Sequence, residues 1–271
     1  VATSANIRQK KSMGQVFLTV DWPLERMLEK LRSWNINRVI EIGPGAGIFT
    51  KLLVKNGIHV TAIEKDDRFA ELMKQWANDF NDEYEGSLDV INVDILKYDF
   101  SEWIERGNSA GHKSAIIGNI PYNISSPIVM KILPILPQIT GSLMMTQLEF
   151  TKRLAANSGN KDYGSLSVFA QLRADVAMEF EVGRDCFKPI PRVDSAVVSL
   201  QERKSKFSEV LLKNTETITR SAFNQRRKKM RNSISQFIED PEVEKACPID
   251  LDRRADSVDP LEYIELAKFL F

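Results

Sequence analysis

The sequence predicts an α/β protein. A mostly parallel sheet with helices on both faces closes on an antiparallel hairpin, and a small all-α C-terminal domain follows. Three observations predict this. Strand-like apolar runs alternate with helical ones from Arg38 to Thr146. The first alternation is interrupted by Gly43-Pro44-Gly45-Ala46-Gly47, a glycine cluster where a βαβ unit would turn. Two strand-like runs, 176–182 and 195–200, then follow with no helix between them.

Taken in order, residues 1–12 read as a flexible basic arm, and 13–18 as an ordered loop or short strand. Asp21 is placed to cap a helix with Pro23 in its first turn and Leu24, Met27, Leu28 and Leu31 at helical spacing. Arg38 to Ile42 is a strand, and a helix from Ile48 stops near Asn56-Gly57. His59 to Glu64 and Asp89 to Asp94 are the next strands, separated by a helix over Arg68 to Phe80. A fourth strand begins at Ser114 and a fifth spans Ser142 to Thr146, with a helix over Pro127 to Leu136 between them. Helices are expected over 149–156 and 166–172. The two final strands are joined by Phe187-Lys188-Pro189-Ile190-Pro191-Arg192, whose spaced prolines hold the chain extended. The domain boundary is expected at residues 202–203, giving a domain over 1–202 and a helical one over 203–271.

The chain has 271 residues, 43% hydrophobic and 27% charged, enough for one sizeable domain and a smaller one. No apolar run approaches the roughly 20 residues a membrane helix needs. Cys186 and Cys247 have neither metal-ligand nor disulfide spacing, and no Arg-rich presequence is visible, so a reducing, cytoplasmic setting is expected. The net charge of zero hides segregation. Residues 201–231 hold ten basic side chains against three acidic, and residues 232–271 hold ten acidic against four basic. With Arg8, Lys10 and Lys11 in the arm, that pattern suits a polyanion-facing surface, although a solvated helix face would look alike.

The glycine pattern is G-x-G-x-G. A dinucleotide fingerprint would need glycine where Ile48 stands, and no G-K-[ST] follows to make a P-loop. Glu64 ends the second strand and suits a ribose diol while disfavouring a phosphate. Asp94 ends the third strand and can accept from an adenine amine. Adenosine without phosphate on this fold points to S-adenosylmethionine. Beyond the fourth strand, Gly118-Asn119-Ile120-Pro121-Tyr122-Asn123-Ile124-Ser125 sets an amide oxygen and backbone carbonyls beside an aromatic plate. That suits a planar base with an exocyclic amine, and equally a strand-end turn with an aromatic packed beneath it.

Glu41-Ile42-Gly43-Pro44-Gly45-Ala46-Gly47, Ile63-Glu64, Val93-Asp94, Asn119 to Ser125 and Phe187 to Ser195 together resemble the KsgA-type ribosomal RNA adenine dimethyltransferases. The resemblance runs from about Lys11 to the C-terminus and implies a Rossmann-like methyltransferase with a seven-stranded sheet. It implies transfer of methyl groups from S-adenosylmethionine to N6 of two adjacent adenosines in a hairpin loop near the 3′ end of small-subunit rRNA. It places the cofactor against Val16, Leu18, Gly43, Gly45, Glu64, Asp94 and Asn119. It places the target base against Asn119, Ile120, Pro121 and Tyr122, with Phe187 as a second stacking wall. The arm and Arg226, Arg227, Lys228, Lys229 and Arg231 are expected to contact RNA phosphates. The expected partner is a pre-ribosomal small-subunit particle, met by a monomer; no metal and no membrane are expected. The family usually reads F-G-Q-N/H-F-L where this chain has Met13 and Val16, so altered cofactor affinity is expected there. Two readings compete: the related macrolide-resistance enzymes of large-subunit rRNA, and a non-catalytic RNA-binding factor on the same scaffold.

Overall fold

The computed structural model describes residues 16–203 and 207–271. The elements up to the fifth parallel strand are β1 (Phe17–Leu18), α1 (Trp22–Ser33), β2 (Arg38–Ile42), α2 (Ile48–Lys55), β3 (His59–Glu64), α3 (Asp67–Glu83), β4 (Leu88–Asn92), α4 (Ser101–Ser109), β5 (Ser114–Asn119), α5 (Ser125–Ile132) and β6 (Gly141–Gln147). Then come α6 (Leu148–Ala155), α7 (Ser165–Arg173), β7 (Ala174–Val182), β8 (Phe187–Lys188) and β9 (Ser195–Glu202). The chain ends with α8 (Glu209–Asn224), α9 (Met230–Ser233), α10 (Pro241–Ala246) and α11 (Pro260–Leu270).

Seven strands form one sheet in the order β4-β3-β2-β5-β6-β9-β7. β4, β3, β2, β5 and β6 run parallel, and β9 returns antiparallel to β6 with Met144 opposite Val198. The five parallel strands therefore carry their C-terminal ends along one edge, where open α/β sheets bind ligands. Successive residues of a strand face opposite sides. Val39, Val60, Ala115, Leu143 and Val197 thus share one face, where they pack against Leu31 of α1, Leu53 of α2 and Met73 of α3. Each such fully buried aliphatic side chain contributes about 1.5–3 kcal/mol. Asp66 caps α3 by accepting from Arg68 N at 3.2 Å, which fixes where the chain turns after β3.

Two features differ from expectation. Asp21 occupies the N-cap position of α1 with Pro23 in the first turn, but its side chain makes no cap bond. The 187–192 connection is more than a linker. Its first two residues form β8, which pairs antiparallel with β1 as a second, two-stranded sheet (Leu18 opposite Phe187).

The chain divides into two compact units. One comprises the described residues up to Leu148 together with Ala177–Glu202; the other comprises Glu149–Val176 together with the described part of Arg203–Phe271. The segment 149–176 therefore falls with the helical unit rather than within an undivided 1–202. The reason is packing: α7 lies against α8 and α11, and Tyr163, fully buried, donates its hydroxyl to the Val258 carbonyl at 2.9 Å. Tyr263 of α11 is likewise buried and donates to the Ala255 carbonyl at 2.9 Å. Asp259 and Glu262 form a reciprocal capping box at the start of α11.

Candidate active site

A cavity of about 450 Å³ opens at the C-terminal edge of the parallel strands, wholly within the first unit. The turn after β2 forms its floor. Gly45 has φ +53° and Gly47 φ +70°, left-handed conformations that suit glycine. A Cβ on Gly45 would also stand 2.9 Å from the Phe17 ring. Phe17 therefore lies directly on the glycine turn, with its other contact an edge-on packing against Phe69 at 5.8 Å.

Glu64, at the end of β3, is buried. Its Oε2 accepts from Gly45 N at 3.1 Å and its Oε1 from Asp66 N at 2.7 Å. A carboxylate has about four acceptor positions, so both oxygens retain capacity for a pair of hydroxyls. Burial pushes its pKa up; the two backbone donors oppose that. Asp94, beyond β4, accepts from Lys65 Nζ at 2.7 Å and from Leu96 N at 3.0 Å. The Lys65 bond is the main reason its pKa is held below the ordinary carboxylate value. Asn119 ends β5, and its Nδ2 donates to the Val16 carbonyl at a long 3.5 Å. The next residue, Ile120, is pinned by its N–H to the Met145 carbonyl at 2.9 Å. The Pro121 carbonyl accepts from Ile124 N at 3.1 Å and Ser125 Oγ at 3.3 Å, whereas the Ile120 carbonyl has no donor among the described residues. Tyr122 is half-buried with its hydroxyl 3.0 Å from Ser195 Oγ, which fixes the ring at the cavity wall. Burial raises its pKa.

Of the site residues expected from sequence, Val16, Leu18, Gly43, Gly45, Glu64, Asp94, Asn119, Ile120, Pro121 and Tyr122 all line this one cavity. The Val16 carbonyl is the acceptor for Asn119 Nδ2, a contact that does not depend on the Val16 side chain. Phe187 is a correction. Its ring is only 2% exposed, lies in the apolar core cluster, and does not line the cavity. The pairing of β8 with β1 turns it inward. Met13, Arg8, Lys10 and Lys11 lie outside the described residues.

Three further lining residues to which the sequence reading gave no role bear on the site. Phe17 covers the glycine turn. Lys65 balances Asp94. Glu41, on β2, is 3% exposed and bonded to Thr50 Oγ1 at 2.6 Å. A carboxylate inside an otherwise apolar buried strand was the available signal for Glu41. Among the described residues the charged lining is Glu41, Glu64 and Asp94 against Lys65 alone. That surplus of negative charge repels phosphate and favours a cation. A ligand with a ribose diol, an adenine amine and positive charge matches this donor and acceptor set, as S-adenosylmethionine does.

The basic run in the second unit is arranged differently. Arg226 Nε meets Asp256 at 3.3 Å and its Nη2 donates to the Lys161 carbonyl at 2.7 Å. Lys229 meets Asp252 at 3.1 Å, and Arg231 meets both Asp252 at 2.9 Å and Glu244 at 3.1 Å. Arg227 and Lys228 are exposed and have no ion pair among the described residues. The basic and acidic halves seen in the sequence thus largely neutralise each other.

An open, mostly parallel sheet with a glycine turn after its first strand and acids at the next two strand ends defines a Rossmann-like methyltransferase fold. The sequence model for the ribosomal RNA adenine dimethylase family matches residues 6–271, and this chain belongs to that family. It is 33% identical over 267 residues to ribosomal RNA small subunit methyltransferase A of Francisella tularensis subsp. novicida, covering 97% of this chain and 98% of the relative. It is 36% identical over 266 residues to the protein of the same name from Chlorobium phaeobacteroides, covering 97% and 94%. Among solved structures, a dimethyladenosine transferase from Plasmodium falciparum superposes with TM-score 0.72 at 23% identity, covering 92% of this chain and 95% of that one. The 23S rRNA methyltransferase ErmE superposes with TM-score 0.67 at 25% identity, covering 94% and 99%.

Proposed function

We propose that this protein transfers methyl groups from S-adenosylmethionine to N6 of two adjacent adenosines in the 3′-terminal hairpin loop of small-subunit rRNA. The observation that carries the reading is the convergence of Glu64, Asp94 and Asn119-Ile120-Pro121-Tyr122 on one negatively charged cavity. The small-subunit substrate is favoured over the large-subunit one by the relatives at 33–36% identity, named for the small subunit, against 25% for the 23S enzyme.

When bound, S-adenosylmethionine supplies an electrophilic methyl group on a sulfonium. Glu64 holds the ribose hydroxyls and Asp94 accepts from the adenine amine of the cofactor. An amine on a purine ring is a poor nucleophile, because its lone pair is delocalised. Asn119 Oδ1 and the Ile120 carbonyl accept its two hydrogens, draw the nitrogen toward tetrahedral geometry and expose that pair. Tyr122 stacks on the base. The catalysis is therefore orientation and electrostatic stabilisation by fixed acceptors. A strong general base is unnecessary, since the nitrogen becomes acidic once alkylated. The same acceptors still serve the N6-monomethyl product with one hydrogen fewer. A loop base must leave its stack to reach this site. In the second unit, Arg227 and Lys228 offer free charge for RNA phosphates. By the family resemblance, the protein works in the cytoplasm as a monomer on a pre-ribosomal particle.

The test is transfer of labelled methyl groups to small-subunit particles that lack the modification, with N6,N6-dimethyladenosine as the product. Label confined to large-subunit RNA would transfer the assignment to the macrolide-resistance class. No transfer to either, with normal RNA binding, would favour a non-catalytic factor.

A further inference from the structure

The strap from Lys188 to Ser195 has no role in the steps above, yet it runs along the ligand edge of the sheet. At one end Lys188 lies opposite Phe17, which covers the glycine turn. At the other, Ser195 begins β9 opposite Gln147, the last residue of β6, and its hydroxyl lies 3.0 Å from that of Tyr122. Both ends are clamped. The Cys186 carbonyl accepts from Thr19 N at 2.8 Å and Thr19 Oγ1 at 3.0 Å, and the Asp194 carbonyl accepts from Leu148 N at 2.9 Å. Arg184 N donates to Asp194 Oδ1 at 2.9 Å, which ties the turn before the strap to its end. Between the clamps, Pro189 and Pro191 fix two φ angles and confine Ile190 to extended backbone.

Ile190 is 67% exposed, the most exposed large apolar side chain among the described residues of the first unit. One exposed isoleucine is ordinary in itself. A doubly clamped, proline-bound support beside the ring of Tyr122 is not. Around it the chain carries Arg184, Lys188 and Arg192 against Asp185 and Asp194, and one oxygen of Asp194 is taken by the Arg184 amide. Arg184 and Arg192 are exposed and make no ion pair among the described residues, and residues 1–15 and 204–206 hold no Asp or Glu to pair with them. Resting on the methyltransferase reading, we infer that Ile190 is a wedge that fills the place vacated in the RNA loop when the target adenosine turns out toward Tyr122. Arg184 and Arg192 meet the flanking phosphates. An extruded base leaves a gap into which it can fall back, and an apolar side chain in that gap keeps the neighbouring bases covered. Such a wedge must be stiff, which the clamps and prolines provide. It must also stand at a fixed offset from the base-stacking ring, which the Ser195–Tyr122 bond provides.

Small-subunit particles that carry 2-aminopurine in place of one target adenosine report the unstacking by fluorescence. Wild type should raise the signal on binding, and Ile190→Ser should raise it about half as much, with kcat/KM on adenosine particles about tenfold lower. Melting temperature and S-adenosylmethionine affinity should stay at wild-type values, because the side chain is exposed and outside the cavity. Ile190→Leu, still apolar, should keep both the signal and the rate. In particles whose nucleotide next to the targets is abasic, the stack is already broken, and Ile190→Ser should methylate as fast as wild type. Full signal and turnover in Ile190→Ser on the intact particles would overturn the inference. An equal loss on abasic particles would also overturn it, since a merely structural strap fails on both. Wild type that methylates the particles with no fluorescence rise would overturn the inference and leave the methyltransferase reading intact; transfer of no methyl group to any RNA would overturn both.

Discussion

The cavity in the first unit and the basic turn in the second use charge in opposite ways. Around the cavity three carboxylates face one ammonium, in a stretch where the sequence shows no conspicuous run of acids. Around the basic turn a conspicuous run of cations is met by Asp252, Asp256 and Glu244. Charge density along a chain is therefore a poor guide to charge available at a surface. What marks a site is charge that folding leaves without a partner.

The largest expected effect lies in the wall that supports the cavity. Phe187→Ala should cost about 3–5 kcal/mol of stability, because it empties a packed core position. Turnover per folded molecule should stay near wild type, as denaturant unfolding combined with active-site titration would show; a turnover loss without instability would restore the stacking role. Asn119→Ala comes next. Turnover should fall about 10²–10³-fold while S-adenosylmethionine affinity changes little, the signature of an acceptor used in the transition state. Single-turnover rates alongside calorimetric binding would check it, and undiminished turnover would remove the amine-activation mechanism.

A third prediction concerns a buried carboxylate of the cavity. Glu41 has its carboxyl raised from 4.5 to about 7, so between those values the native state holds a proton that the unfolded chain has released. Stability from this group is present below about pH 4.5 and is lost as pH rises through about 7. Ligand-free Glu41→Gln should accordingly exceed wild type by about 1–3 kcal/mol at about pH 8 and match it near pH 4.5, as thermal melts at the two pH values would reveal. The smallest effect belongs to the basic turn. Arg227→Ala or Lys228→Ala should each lower the salt slope of RNA binding by about 1, and Lys229→Ala by less, since Asp252 already shares its charge. Equal slopes for all three would show that the ion pairs open when RNA binds.

Much of the site was legible because it sits at strand ends. Alternating runs give the strands, the strands give their C-terminal edge, and Glu64, Asp94 and Asn119 fall on that edge by counting residues. Even element bounds came through where the flanking turns are sharp, as for Arg38–Ile42 and His59–Glu64. Most of the misses involve contacts distant in sequence. Phe187 is turned inward by pairing with Leu18, 169 residues earlier, and nothing local to either residue signals that. Phe17 covers Gly45 because a short strand crosses back over the turn. Glu41 reads as one more residue of an apolar strand until Thr50 and the cavity are seen beside it. The ion pairs of the basic turn join residues from 13 to 30 positions apart whose register depends on helix packing.

The alternation of the chain between its two units bears on how this protein could be divided or recombined. The path crosses from one unit to the other near residues 148, 176 and 202, so no single cut separates them. A truncation at residue 202 would keep α7 and Tyr163 but remove α8, α11 and the Val258 carbonyl that they pack against or bond. The fragment would carry an orphaned apolar helix pair, prone to aggregate. Chimaeras with other methyltransferases must therefore exchange residues 149–176 and 203–271 together, as one heritable piece written in two places.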